Sequence, residues 1–150
     1  MSTTTTGAEA VEWNLADLYD GPDDPRIESE LEESLAASQA FRERYRGKLG
    51  ELTAAELNDA VAELERIEST STRVETYARL RQAADSTEQA RGALVQRVRE
   101  RNTQIETELL FFDLEWSAID DDIAERLLAD PAIAHYAQVL RTQRRYKPHQ

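Results

Sequence analysis

The side chains that could do chemistry in this sequence are few in type and form no recognisable constellation. The chain has 150 residues, with two histidines, His135 and His149, no cysteine and 30 acidic side chains. A catalytic zinc ion needs several histidine or carboxylate ligands that converge, and neither histidine belongs to a His-Glu-x-x-His pair. His135 follows the apolar pair Ile133-Ala134, which favours a packing or surface role over a ligand role. We therefore expect no metal ligand in this chain.

The usual signatures of other active sites are also missing from the sequence. It has no glycine-rich phosphate loop, no cysteine nucleophile and no serine with a placed histidine. The carboxylates are too numerous for any pair to be singled out as general acid and base, and a solvated acidic face explains them. We therefore expect no catalytic residue and no cofactor-binding residue in this chain.

The charge of the chain limits its partners. It carries 30 acidic and 18 basic residues, a net charge of −12, whereas a nucleic-acid backbone requires a basic patch. No apolar run approaches the roughly 20 residues that cross a bilayer, and the N-terminus lacks the basic start and apolar stretch of a signal peptide. With no cysteine available for disulfides, the sequence predicts a cytoplasmic protein that binds neither nucleic acid nor membrane.

One stretch, residues 86–119, organises the rest of the chain. A helix of that length spans about 50 Å, whereas a compact domain of this chain length is about 40 Å across. The sequence therefore predicts an elongated array, or one piece of a larger helical body. The apolar residues of the stretch recur at helical spacing along one line: Leu94, Val98, Ile105, Leu109, Phe112, Trp116 and Ile119.

Start and stop signals divide the remainder into further helices. Residues 1–12 form a predicted disordered tail, and Asn14 opens one or two helical turns that end before Gly21. The capping signals at Asp24-Pro25, at Thr53 with Glu56, and at Asp130-Pro131 each open a helix. The predicted helices after the tail cover residues 25–46, 53–84, 86–119, 120–128 and a last one from Pro131.

Two further features complete the predicted fold. Residues 69–72, Ser-Thr-Ser-Thr, have poor helix propensity and could bend or interrupt the helix over 53–84. No segment alternates with period two, so we expect an all-α fold, an antiparallel helical array built on the central helix.

Near the end of the central helix, Leu110, Phe111 and Leu114 face away from the apolar stripe that Leu94 to Ile119 form along one line. Either the two C-terminal helices cover them, or they remain exposed to seat a partner.

Four stretches, in this order, resemble the N-terminal part of the oligoendopeptidase F family of zinc metallopeptidases, which are thimet-oligopeptidase-like enzymes. Trp13-Asn14-Leu15 through Asp17-Leu18-Tyr19 resembles the start of the family, and Tyr45-Arg46-Gly47-Lys48-Leu49 resembles its Tyr-x-Gly-Lys-Leu turn. Thr76-Tyr77-Ala78-Arg79-Leu80, followed by Asp85, resembles its Tyr-Ala-x-Leu helix. The fourth stretch is His135-Tyr136 through Leu140, then Arg145 and Lys147-Pro148-His149-Gln150, which resembles the segment that leads into Leu-Ser-x-x-Glu-Glu.

The resemblance covers residues 13–150 and implies the N-terminal helical domain of a cytoplasmic enzyme that cuts short peptides inside a helical chamber. In that family two histidines of a His-Glu-x-x-His helix and a downstream glutamate hold one zinc ion. None of these residues is present here, so the chain alone is predicted to be inactive. It would contribute to the chamber wall, and its partner would be the downstream catalytic portion, seated on part of the face that carries Leu110.

A second interpretation comes from a different class of protein. An acidic, all-α chain without catalytic residues could also be a free-standing module that binds a partner protein through its helix faces. The DNA sequence beyond the codon for Gln150 would distinguish the two interpretations.

The acidic composition itself gives the first testable prediction. Only Lys48 and Lys147 are lysines among the 18 basic residues, and the net charge is −12. If this composition is an adaptation to strong salt, screening of carboxylate repulsion should raise the thermal midpoint between dilute buffer and molar potassium chloride. Equal midpoints would instead leave the codon bias of a GC-rich genome, which favours arginine and alanine, as the explanation.

Overall fold

The computed structural model describes residues 19–84 and 89–145, and within these residues the fold is all-α, as predicted, with no strand. Two short 3₁₀ turns, Leu49–Glu51 and Pro131–Ile133, lie between helices. The predicted tail over 1–12, the cap at Asn14 and residues 86–88 of the predicted helix over 86–119 lie outside the described residues. The five α-helices are α1 (Pro25–Tyr45), α2 (Ala54–Ala84), α3 (Gln89–Ala118), α4 (Asp121–Leu128) and α5 (Ala137–Arg145).

The chain divides into two compact units. The first unit contains Met1–Leu35 and Ser69–Gln104, and the second contains Ala36–Glu68 and Ile105–Gln150. The boundaries therefore fall within α1, α2 and α3.

The start of α1 follows directly from the sequence around Pro25. The Asp24 carboxylate accepts hydrogen bonds from the backbone N–H of Arg26 at 2.9 Å and of Asp20 at 2.8 Å. The Arg26 guanidinium binds the same carboxylate at 2.7 Å. The hydrogen bonds from Arg26, followed by the two backbone donors, hold the pKa of Asp24 well below its usual range. Asp24 thus satisfies the N–H of Arg26, a backbone donor that an uncapped helix leaves free, and also binds the N–H of Asp20 in the preceding segment.

The start of α2 is the capping box that the sequence predicts. The Glu56 N–H donates to Thr53 Oγ1 at 3.1 Å, and the Thr53 N–H donates to a Glu56 carboxylate oxygen at 3.0 Å. The hydrogen bond from the Thr53 N–H, followed by the interaction of the carboxylate with the Thr53 side chain, lowers the pKa of Glu56. The reciprocal pair fixes where α2 begins.

A buried polar pair explains why α2 continues through residues 69–72. The Ser71 hydroxyl donates to Asn102 Oδ1 at 2.7 Å, and Asn102 Nδ2 donates to the Ser71 carbonyl at 3.3 Å. Both residues are buried in the first unit. The contact satisfies polar groups that would otherwise be costly to bury, and the weak local propensity does not interrupt the helix. The apolar core beside this pair contains Tyr19, Ile27, Leu31, Val74, Tyr77, Ala78, Leu94, Val95 and Val98.

The second unit differs from expectation after Pro131. The sequence predicts that the last helix begins there, but residues 131–133 form a 3₁₀ turn and α5 begins only at Ala137. Successive hydrogen bonds from Ile133, Ala134 and Tyr136 reach back three residues rather than four. The predicted cap is nevertheless present, since Asp130 Oδ1 accepts from the Ala132 N–H at 2.9 Å. Ile133, the last residue of this tight turn, is fully buried.

Candidate functional site

No metal centre is assembled from the residues that the structure describes. Within 19–84 and 89–145, no group of three or more histidine, cysteine or acidic side chains could hold a metal ion. His135 is exposed, and its ring lies edge-on to Tyr136 with ring centroids 4.6 Å apart. His149 lies outside the described residues.

The stretch Tyr45–Leu49 forms a closed turn in the second unit. Helix α1 ends at Tyr45, and Gly47 has a φ of 79°, a conformation that favours glycine. The carboxylate of Glu115, on α3, accepts hydrogen bonds from the N–H groups of Gly47 and of Leu49, the latter at 3.2 Å. Leu49 is fully buried. Glu115 thus fixes the chain reversal after α1, a contact across 66 to 68 residues of sequence.

The stretch Thr76–Leu80 contributes to the core of the first unit. Tyr77 and Ala78 are buried, and the Tyr77 ring meets Tyr19 at a centroid distance of 4.8 Å and an interplanar angle of 67°. The Tyr19 hydroxyl donates to Glu30, whose carboxylate also pairs with Arg73 at 3.2 Å. Burial, followed by the contact with Glu30, raises the pKa of Tyr19 to about 12. Tyr19 and Tyr77 therefore have a structural role in the core of the first unit.

The stretch from His135 to Arg145 ties α5 to the end of α3. The Trp116 indole N–H donates to the carbonyl of Leu140 at 3.0 Å, and both side chains are buried. The Arg144 guanidinium donates to the carbonyls of Trp116 and Ile119, the latter at 2.8 Å, and to Asp121. Arg144 therefore caps carbonyls at the C-terminus of α3, which such a cation stabilises.

One helix face remains as the candidate functional surface. On α3, Leu110 is 54% exposed and Leu114 is 60% exposed. The apolar side chains of the C-terminal segment are buried elsewhere: Leu127 of α4, Ile133 of the 3₁₀ turn and Leu140 of α5. The predicted cover by the C-terminal helices is therefore not formed over this pair. Phe111, which the sequence groups with them, is half-buried and packs on Phe41 with ring centroids 5.7 Å apart. We call the residues Glu106, Leu110, Asp113 and Leu114 the outer face of α3.

The outer face has an acidic border. Partial displacement of water raises the pKa of Asp113. The pKa of Glu68, on α2, is raised first by the same effect and then by the negative charges of Asp113, Glu106 and Glu65. The side chains of Glu68 and Asp113 still reach solvent. The surface thus combines two exposed leucines with carboxylates that repel one another, a pattern suited to binding.

Comparison with family models, with curated proteins and with solved structures finds no match to this chain. No helix among the described residues has the length and apolarity that a membrane crossing requires. The family resemblance therefore rests on the sequence motifs alone.

The Glu115 contact gives a prediction about stability. Glu115→Gln removes the negative charge that two backbone N–H groups contact, so we expect the free energy of unfolding in urea to fall by about 1–3 kcal/mol. Glu43→Gln, at an exposed position of α1 in the same unit, is the matched control and should change it by less than about 0.5 kcal/mol. Equal effects of the two substitutions would mean that Glu115 does not stabilise the turn.

Proposed function

We propose that this chain is the N-terminal helical region of a zinc oligoendopeptidase of the oligoendopeptidase F family. In this role it contributes to the wall of the chamber in which the enzyme hydrolyses short peptides. The observation that carries the proposal is the set of family-like stretches in the family's order, two of which, Tyr45–Leu49 and Thr76–Leu80, serve as the closed turn and part of a core. The family is cytoplasmic, and the proposal carries that location with it.

The proposal gives this chain a structural part in the reaction. Among the residues described, no group of three or more histidine, cysteine or acidic side chains fits a zinc site. What the chain supplies is helical surface. Near the C-terminal end of α3, Glu115 binds the turn after α1, and Arg144 of α5 binds the carbonyl of Ile119. The outer face of α3 is the surface that we assign to the downstream catalytic portion, because its leucines are exposed.

A second candidate function is a free-standing helical module that binds another protein. The exposed pair Leu110 and Leu114 favours it as well, because exposed apolar side chains one helical turn apart are a common anchor for a partner helix. The two candidates differ in whether the partner segment is encoded in the same reading frame.

Two measurements test the peptidase proposal. The DNA beyond the codon for Gln150 should encode Leu-Ser-x-x-Glu-Glu and, later, His-Glu-x-x-His in frame; a stop codon with neither motif would contradict the proposal and favour the module.

The purified 150-residue chain should retain no stoichiometric zinc after dialysis and should not cleave a fluorogenic peptide. A known zinc endopeptidase handled in parallel is the positive control, and retained zinc or cleavage would contradict a purely structural role.

A further inference from the structure

The outer face of α3 has the geometry of an anchor for a helix. Leu110 and Leu114 are four residues apart, so their Cβ atoms lie about 5–6 Å apart on the same side of the helix. Both are more than half exposed, at 54% and 60%. Apolar side chains spaced by one turn are the usual contacts when one amphipathic helix packs on another.

The carboxylates around the two leucines make this surface negatively charged. Glu106 precedes Leu110 by four residues and Asp113 follows it by three, which places both beside Leu110 on the helix. Glu65 and Glu68 of α2 add further negative charge, and the neighbours whose charges shift the pKa of Glu68 are all acidic. Ion pairs in the described part of the second unit include Arg42 with Glu108, Arg44 with Glu63 and Arg144 with Asp121. None of these three pairs uses Glu68, Glu106 or Asp113.

We infer that the outer face of α3 binds a cationic amphipathic helix, in which two apolar side chains one turn apart are flanked by arginine or lysine. The apolar residues would pack on Leu110 and Leu114, and the basic residues would meet Glu68, Glu106 and Asp113. Charge complementarity selects this occupant.

The same charges argue against other occupants. A second copy placed symmetrically would bring its own acidic face against this one, and like charges disfavour that contact. Nucleic acids and anionic lipid surfaces carry the wrong sign. The inference deepens the docking role proposed above, yet it depends only on the residues of this face and does not fail if the peptidase proposal fails.

A synthetic peptide tests the inference with the full 150-residue chain. The probe is a leucine–lysine peptide of about 14 residues designed as an amphipathic helix, long enough to form three to four turns. Titrated into ¹⁵N-labelled protein, it should shift the amide signals of residues 106–117 first and most strongly. A matched peptide with glutamate in place of lysine should not bind.

Substitutions localise the contact. The double variant Leu110→Gln/Leu114→Gln should weaken peptide binding about tenfold or more, because it removes two apolar contacts. Val139→Gln, at a position of α5 that is 54% exposed, is the matched control and should change binding less than about twofold. All three sites are exposed, so circular dichroism and thermal melts of the variants should match those of the parent.

Several results would overturn the inference. These are equal weakening by Val139→Gln, no weakening by the double variant, signal shifts spread evenly over acidic surfaces of both units, or equal binding of the glutamate peptide. Sedimentation of the chain alone provides a separate check. A dimer that dissociates in the double variant would assign the face to a second copy instead.

Discussion

The apolar stripe of α3 is the constraint on which the rest of the structure depends. Within the first unit Leu94, Val95 and Val98 belong to the core cluster, and within the second unit Ile105, Leu109, Phe112 and Trp116 are buried. Each such side chain contributes about 1.5–3 kcal/mol when it leaves water. The other helices must therefore cover the apolar stripe of α3, and specific polar contacts fix the positions of these helices.

The polar contacts that hold the stripe are few and specific. Asn102 occupies a position within the stripe and is satisfied by Ser71, so a buried amide does not weaken the core. Glu115 binds the turn after α1, and Arg144 caps the end of α3. Because each of these contacts joins residues far apart in sequence, each fixes the path of the chain and not merely a local turn.

Local signals made much of the fold predictable. The all-α class, the starts of α1 and α2 and the apolar line of α3 all follow from spacing and capping rules that act within a few residues, as at Asp24-Pro25 and Thr53 with Glu56. The roles of Asn102, Glu115 and Arg144 were not predicted, because each depends on a partner at least 23 residues away in sequence. The 3₁₀ turn at Pro131, where the sequence predicts the start of an α-helix, was not predicted either.

The candidate site was predictable only in part. Helical spacing placed Leu110, Phe111 and Leu114 away from the stripe, but it did not predict which of these side chains would pack against another residue and which would remain exposed. In the structure Phe111 reaches Phe41, because an aromatic side chain is long enough to pack from the edge of the stripe, while the two leucines remain exposed. The acidic border could not be predicted for another reason, since the charges of Glu106 and Asp113 act on Glu68 only once α2 and α3 are packed.

Two adjacent leucines allow the most direct test of this account. Leu109 is 7% exposed and Leu110 is 54% exposed on the same turn of α3, so the same substitution probes the buried stripe and the outer face with nearly equal effect on helix propensity. Leu109→Ala should lower the free energy of unfolding in urea by about 2–5 kcal/mol, and Leu110→Ala should change it by less than about 0.5 kcal/mol. Equal losses for the two variants would contradict the division of α3 into a buried stripe and an exposed outer face.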